Sequence, residues 1–171
     1  MNYPAIHRVG SGYDLHRLEP DRKLIMAGIE IPYELGLIGH SDADVVIHAV
    51  IDALLGGAGM EDIGELFPDT DPKYKGADST LLLKEVMSKV LEKGFAPVNL
   101  DVTIIAERPK LKEYKPQMRH KLANMLRLDI DAVCVKAKTN EKVGPVGEGK
   151  AIAALATVGL TRTSNKFKVT V

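Results

Sequence analysis

Residues 150–161, KAIAALATVGLT, form a segment that is apolar at nearly every position. A strand with one solvated face alternates apolar and polar residues, so an unbroken apolar run is typical of a strand covered on both faces. The segment therefore predicts a strand in the interior of a sheet. A single subunit would leave part of such a strand exposed, which favours an assembly of subunits that covers it.

Strands and helices alternate along the rest of the chain. Apolar and β-branched runs predict strands over 5–13, 23–32, 97–111, 131–139 and 150–162, and amphipathic patterns predict helices over 41–59, 78–95 and 114–128. Since the last two strands are consecutive, the order indicates a mixed sheet rather than a purely parallel one. We expect a single domain over 1–171 of the α+β class, with a mixed β-sheet that carries helices packed on one face.

Capping residues mark the ends of the predicted helices. Ser41, with Asp44 three residues later, is the predicted N-cap of the first helix, and the Gly-Gly pair at 56–57 is its predicted end. The second helix is expected to start at Asp78 or Ser79 and to end at Gly94. The third is expected to start near Pro116, and Pro109 to stop the strand before it.

Charge and composition exclude several classes of protein. The chain has 23 Lys and Arg residues against 23 Asp and Glu residues, which argues against a nucleic-acid or membrane surface. The start MNYPAIHRVG lacks the basic residues and apolar run of a signal peptide, so we expect a bacterial cytoplasm, or a plastid after removal of a leader. The single cysteine, Cys134, rules out an intrachain disulfide and is expected to be buried in a strand.

The stretch 59–77 shows no clear periodicity and contains FPDTDP, so it predicts a long mobile loop. Long loops in compact domains are usually functional or disordered. Gly64 and Gly76 lie near the two ends of the stretch, and such a loop could close over a site as a lid. A solvated acidic loop is the simpler alternative.

Asp14 and His16 are two residues apart in GYDLHRL, at 12–18. In an extended segment both side chains point to the same side, so a carboxylate and an imidazole could converge on one cation. With His48 from the first helix they would make a three-ligand site with an open position, the pattern of catalytic zinc. Spacing alone does not bring His48 to the first strand, so a solvated strand end and a core histidine stay open as alternatives. The same ligands would also accept manganese or cobalt.

Five blocks in the chain resemble the 2-C-methyl-D-erythritol 2,4-cyclodiphosphate synthase family, in the family's order. They are GYDLHRL at 12–18, GLIGHSDADVVIHAVIDALLG at 36–56, DIGELFPDTDPKYKGADS at 62–79, NLDVTIIAERPKL at 99–111 and KAKTNEKVG at 136–144. The resemblance implies conversion of 4-diphosphocytidyl-2-C-methyl-D-erythritol 2-phosphate to the cyclic diphosphate and CMP, a step of the non-mevalonate isoprenoid pathway. It also implies a homotrimer with active sites between adjacent subunits.

The resemblance further implies a role for each matching residue. The zinc ligands would be Asp14, His16 and His48, while Glu141 would hold a magnesium or manganese ion on the substrate diphosphate. His40 and Thr139 would stabilise the transition state, and His40 with Ser41, at the expected helix start, would bind the 2-phosphate. The implied substrate contacts are Asp14, Leu15 and His16; His40 and Ser41; Asp62, Ile63 and Gly64; Phe67, Pro68, Asp69, Thr70 and Asp71; Ala106, Pro109, Lys110, Leu111 and Lys112; and Lys138, Thr139, Asn140 and Glu141.

Two other functions use the same residues. One is a metal-dependent nucleotide pyrophosphatase, in which water attacks the same phosphorus. The other is a trimeric binding protein for an isoprenoid diphosphate, which the presence of every implied ligand disfavours. Many bacterial members carry Gly-Arg-Gly-Glu where this chain has GEGK at 147–150, and that arginine lies by an axial cavity that binds isoprenoid diphosphates. If this segment is extended, Glu148 and Lys150 face the same side and neutralise each other. Three copies of Glu148 near the axis would then oppose a diphosphate and weaken its binding.

Overall fold

The last predicted strand lies at the centre of the sheet. The computed structural model describes residues 7–163. Its strands are β1 (His7–Pro20), β2 (Leu24–Met26), β3 (Ile29–Ile31), β4 (Leu35–Leu37), β5 (Phe95–Ile105), β6 (Val133–Lys138) and β7 (Ala151–Arg162). The five-stranded sheet has the order β4-β1-β7-β5-β6, and β2 and β3 form a separate hairpin. The first strand was predicted over 5–13; positions 5 and 6 lie outside the described residues, and the strand extends past the predicted end to Pro20.

The three long helices cover one face of this sheet, as predicted, whereas the short helix at Gly144–Gly147 packs against Ala151 and Ala153 on the other face. The helices are α1 (Val45–Ala58), α2 (Ile63–Leu66), α3 (Ser79–Glu92), α4 (Lys115–Leu126) and α5 (Gly144–Gly147), with 3₁₀ turns at Pro72–Tyr74 and Ile130–Ala132. Strands β5 and β6 are parallel, whereas β7 is antiparallel to both β1 and β5. The sheet is therefore mixed and the fold is α+β. No helix within residues 7–163 is both long and apolar enough to cross a membrane.

Helix α1 packs unusually close to β1. A Cβ atom at Gly10 would overlap the carbonyl oxygen of Ala53, and one at Gly12 would overlap that of Ala49. Strand positions 10, 12, 14 and 16 share a face because side chains alternate along a strand. The same face that accepts α1 therefore carries Asp14 and His16, and the two glycines let α1 approach them.

The opposite side of the sheet, here called the open face, has no helix over most of its area. Val9, Tyr13 and Leu15 of β1 and Leu155 of β7 are exposed there, Tyr13 by 56% and Val9 by 73%. Tyr13 pairs with Leu155, which in turn pairs with Thr103 of β5. The central position of β7 is as predicted, and one subunit leaves part of the strand uncovered.

The start of α1 differs from its prediction. Asp44, not Ser41, is the N-cap, because its buried carboxylate accepts hydrogen bonds from the backbone N–H groups of Val46 and Ile47. Ser41 and His40 thus precede the helix, and the helix N-terminus does not serve them as an anion site. The helix also runs past the Gly-Gly pair and ends at Gly59, which adopts the left-handed conformation.

Other boundaries were predicted correctly or nearly so. Helix α3 has Asp78 as its N-cap, and α4 begins one residue before Pro116.

The stretch 59–77 is not a structureless loop, because it contains α2 and a 3₁₀ turn. Cys134 is exposed rather than buried, because it alternates along β6 with the buried Val133 and Val135 and so lies on the open face.

Candidate metal and nucleotide sites

Three side chains meet where β1 passes under α1. The Oδ2 atom of Asp14 lies 2.9 Å from Nε2 of His16 and 2.9 Å from Nδ1 of His48. The two imidazole nitrogens are 3.2 Å apart. The close approach of α1 to β1 therefore supplies the long-range contact that sequence spacing could not predict. Asp14 and His16 are not the unrelated polar groups of a solvated strand end.

The donor set fits a divalent metal ion. Two ligands about 2.05 Å from a tetrahedral zinc ion lie about 3.3 Å apart, close to the separations seen among these three atoms. One carboxylate and two imidazoles are hard-to-borderline ligands that zinc accepts. Each of Asp14, His16 and His48 is half-buried, and three protein ligands leave a fourth position for substrate.

Electrostatics prepare these ligands for a cation. Burial opposes ionisation of the Asp14 carboxyl, but hydrogen bonds and charges from His16 and His48 outweigh it and hold its pKa well below the usual range. Burial also opposes the imidazolium form of His16, but the hydrogen bond and charge of Asp14 raise the pKa of this imidazole. A cation at the site would replace the protons that these groups share.

The outer nitrogens of both histidines have partners. Nδ1 of His16 donates to the carbonyl oxygen of Ile38 at 2.7 Å, so Nε2 carries the lone pair when the ring is neutral. Nε2 of His48 lies 3.0 Å from Oγ of Ser41 and 2.9 Å from Oγ of Ser79. Ser79 was predicted only as a possible helix cap.

A cleft of about 480 Å³ opens above the metal ligands. His40, Ser41, Ile63, Gly64, Phe67 and Asp69 line it together with Asp14, His16 and His48, and so do Gly39, Asp52, Tyr74 and Leu82. Asp52 was missed by the sequence analysis, although it follows His48 by four residues and so shares its helix face. Its Oδ1 accepts a hydrogen bond from the backbone N–H of Ile63, which fixes the start of α2, and burial raises the pKa of its carboxyl.

Several substrate contacts implied between positions 62 and 71 do not line the cleft. Asp62 is the N-cap of α2, and Asp71 is the N-cap of the following 3₁₀ turn. Nε2 of His40 lies 3.2 Å from the carbonyl oxygen of Asp71, which ties the loop to the cleft. Pro68 and Thr70 are outside the lining, and the Leu15 side chain is on the open face.

A second cleft, of about 200 Å³, lies between the end of β5 and the end of β6. All five substrate contacts implied between positions 106 and 112 line it, namely Ala106, Pro109, Lys110, Leu111 and Lys112, together with Glu107, Lys115, Ala137, Lys138 and Thr139. Four lysines on its rim make it suitable for an anionic ligand.

Beyond Thr139 the chain turns sharply. The hydroxyl of Thr139 donates to Oε1 of Glu141 at 2.9 Å, and Nδ2 of Asn140 donates to the carbonyl oxygen of Val143 at 2.7 Å. Glu141 and Lys142 both have positive φ angles, an uncommon conformation for residues other than glycine. The exposed Glu141 carboxylate is therefore held next to the Thr139 hydroxyl.

The segment 147–150 is not extended, because Glu148 has helical backbone angles and Gly149 is left-handed. Lys150 nevertheless pairs with Glu148 through a 2.6 Å contact between Nζ and Oε2. The expected mutual neutralisation is therefore present, by a different local geometry.

The cleft above Asp14, His16 and His48, here called the metal cleft, shares no lining residue with the second cleft, here called the lysine-rimmed cleft. One subunit thus carries two sets of predicted residues that do not meet in a single cavity of residues 7–163.

The YgbB family model matches residues 7–161. A protein of Geotalea uraniireducens (strain Rf4), named 2-C-methyl-D-erythritol 2,4-cyclodiphosphate synthase, is 56% identical over 155 residues, which are 91% of this chain and 99% of that protein. A protein of the same name from Lachnospira eligens is 54% identical over 92% of this chain and 86% of its own length.

Solved structures agree with these relatives. A CDP complex of IspF from Plasmodium falciparum has a TM-score of 0.81 at 30% identity and covers 95% of this chain and all of that one. The bifunctional IspDF of Campylobacter jejuni has a TM-score of 0.89 at 44% identity over 92% of this chain, which spans only 43% of the longer protein.

Proposed function

The chain belongs to the YgbB family, and we propose that its metal cleft and lysine-rimmed cleft are the two halves of the active site of a cyclodiphosphate synthase. The observation that carries the proposal is the convergence of Asp14, His16 and His48 within 3.2 Å of one another at the floor of a cleft. The enzyme is a lyase of isoprenoid biosynthesis. It converts 4-diphosphocytidyl-2-C-methyl-D-erythritol 2-phosphate to 2-C-methyl-D-erythritol 2,4-cyclodiphosphate and CMP.

In this reaction an oxygen of the 2-phosphate forms a bond to the β-phosphorus. The bond between that phosphorus and the bridging oxygen breaks, and the oxygen leaves with CMP. Two anionic groups must approach each other, so catalysis depends on positioning and on neutralisation of charge. Water would compete as the nucleophile, and a closed cleft excludes it.

Asp14, His16 and His48 would hold the zinc ion, or another divalent cation. A zinc ion there supplies Lewis acidity towards a phosphoryl oxygen. His40 and Ser41 line the same cleft, and we assign them to the 2-phosphate. Because Ser41 precedes the helix cap, its hydroxyl and the His40 imidazole, rather than a helix terminus, are the donors available to this phosphate.

Asp62, Ile63 and Gly64 are assigned to the erythritol hydroxyls, for which carboxylate and backbone groups are suitable partners. The residues from Phe67 to Asp71 would cover the substrate. Their support comes from the lining of the cleft by Phe67 and Asp69 and from the contact of His40 with Asp71. Phe67 is buried in the core and so anchors the start of this segment, while the His40 imidazole contacts its far end at Asp71.

The lysine-rimmed cleft is assigned to the cytidine diphosphate. Ala106 and the residues from Pro109 to Lys112 would surround the base, while Lys138, Thr139 and Asn140 would contact the phosphates. Glu141 would hold magnesium or manganese against the diphosphate, since such ions favour a carboxylate together with phosphate oxygens. The Thr139 hydroxyl, adjacent to Glu141, would stabilise the charge that develops at the β-phosphorus.

Because the two clefts share no residue, we propose a homotrimer in which the metal cleft of one subunit faces the lysine-rimmed cleft of its neighbour. The open face supports this assembly, since Tyr13, Leu15 and Leu155 expose a row of apolar side chains. The Glu148–Lys150 ion pair supports weak binding of an isoprenoid diphosphate at the subunit axis. The bacterial relatives support a cytoplasmic location.

Phosphorus NMR tests the function directly. The enzyme is incubated with substrate, zinc and magnesium, and His48→Ala serves as the metal-site control. We expect cyclic diphosphate and CMP from the wild type and neither from the variant. A linear bisphosphate with CMP would instead assign a pyrophosphatase, and the absence of any product would assign a binding protein.

A further inference from the structure

We propose that Ser79 and Asp42 are positioning residues that present the Nδ1 lone pair of His48 to the metal ion. The proposal rests on the metal site proposed above and adds two residues for which neither the sequence nor the family resemblance gives a role in the site. Ser79 is completely buried, and Asp42 is half-buried beside it. Neither side chain lines the metal cleft.

The proton on the Ser79 hydroxyl determines which nitrogen of His48 is protonated. Its Oγ lies 2.5 Å from Oδ1 of Asp42, a short distance typical of a hydroxyl that donates to a carboxylate. A hydroxyl has one proton, so the Ser79 oxygen can only accept from its other neighbour, Nε2 of His48 at 2.9 Å. Nε2 of His48 is therefore the protonated nitrogen when the ring is neutral. The lone pair then lies on Nδ1, the atom that faces Asp14 and His16.

Asp42 holds Ser79 by two bonds. Its Oδ2 also accepts the backbone N–H of Ser79 at 3.1 Å, which fixes the first residue of α3 against the loop before α1. The backbone N–H of Asp42 in turn donates to the carbonyl oxygen of Ala77. The backbone and the carboxylate of Asp42 thus both bond residues 77–79, and the Ser79 hydroxyl has little freedom to rotate towards another acceptor.

The two histidine ligands are then oriented in the same way by different groups. His16 donates from Nδ1 to the carbonyl oxygen of Ile38 and offers Nε2, while His48 donates from Nε2 to Ser79 and offers Nδ1. Ligating histidines generally donate their second N–H to an oxygen, and loss of that partner typically lowers metal affinity by about 10- to 100-fold. Ser41 also lies near Nε2 of His48, but no carboxylate within the described residues accepts its hydroxyl proton.

The test measures zinc affinity by competition with a chromogenic chelator on the full chain. Ser79→Ala removes the acceptor, and Asp42→Asn keeps the shape of the side chain but removes its charge. Ser88→Ala is the matched control on the same helix, because the Ser88 hydroxyl donates to the carbonyl oxygen of Lys84 in its own helix. The second readout is the NMR signal of the His48 Nε2–H proton in the zinc-loaded protein. Circular dichroism checks that each variant is folded.

We expect Ser79→Ala to bind zinc about 10- to 100-fold more weakly and its His48 Nε2–H proton to exchange faster with water. Asp42→Asn should show the same changes at smaller size, and Ser88→Ala should match the wild type. If Ser79→Ala does not fold, Asp42→Asn decides. Wild-type affinity and exchange in every folded variant, with zinc lost only in His48→Ala, would refute the positioning role of Ser79 and Asp42 and leave the metal site standing. Failure of the wild type to bind zinc would overturn both.

Discussion

Substitution of Gly12 by alanine should damage the metal site without touching a ligand. The added Cβ would overlap the carbonyl oxygen of Ala49 and lie 2.8 Å from the backbone nitrogen of Ala53, whereas ordinary contact begins at 3.4 Å. The shortfall from 3.4 Å to 2.8 Å means that α1 must move outward by at least about 0.6 Å. His48 is on that helix, so its Nδ1 moves away from Asp14 and His16.

The cost has two parts. Overpacking of a tight contact destabilises a protein by about 1–3 kcal/mol, and a backbone-to-backbone clash belongs at the upper end, near 3 kcal/mol. For a domain of this size that corresponds to a fall in Tm of about 6–12 °C. Metal–ligand distances tolerate only about 0.2 Å, so zinc affinity should fall by at least about tenfold.

Gly56→Ala provides the matched control. This glycine is in the same helix and is exposed, and a Cβ atom added to it would meet no other atom within 4 Å. Its substitution should raise stability by about 0.5–1 kcal/mol, because alanine favours the helix, and leave zinc affinity unchanged. Urea unfolding followed by circular dichroism and chelator competition measure both quantities. Gly12→Ala with wild-type stability and zinc affinity would refute the idea that the close approach builds the site.

Three further predictions concern the rest of the site. Glu141→Gln should abolish most cyclisation while zinc content stays normal, because it removes the charge that holds the second cation; unchanged turnover at limiting magnesium would contradict this. Light scattering at micromolar concentration should give three times the 18.6 kDa of one chain, and Tyr13→Glu on the open face should lower that mass, whereas a wild-type monomer would contradict the assembly. Zinc binding needs neutral imidazoles, and the pKa of His16 is raised above 6.5. Zinc affinity should therefore begin to fall with decreasing pH while the pH is still above 6.5. Constant zinc affinity down to about pH 6 in calorimetry would count against His16 as a ligand.

The sequence predicted what local periodicity determines. Asp14 and His16 do share one face of a strand, because alternation along β1 fixes it, and the helices α3 and α4 begin within one residue of their predicted starts. The contact of His48 with β1 could not be predicted from spacing, since it depends on two glycines whose effect appears only when α1 lies over them.

The helix cap shows why the remaining errors arose. Ser41 and Asp44 both suit an N-cap, and local propensity favours neither strongly. Asp44 is the cap because its carboxylate also accepts hydrogen bonds from the backbone N–H groups of Ala27 and Gly28, in the turn between β2 and β3. The role of Ser79 was overlooked because its local sequence predicts only a helix start. Its hydroxyl oxygen contacts Nε2 of His48, 31 positions away, and local sequence does not predict such a contact.

The position of β7 in the sheet also orders events during synthesis. Strands β1 and β5 are made early, yet each has β7 as its neighbour in the sheet, so they lack their shared partner until residues 151–162 leave the ribosome. Asp14 and His16 pair across to Ala154 and Ile152 of that strand. A nascent chain therefore carries its metal ligands long before it can hold them in place, and zinc loading should be a late event that follows completion of the sheet.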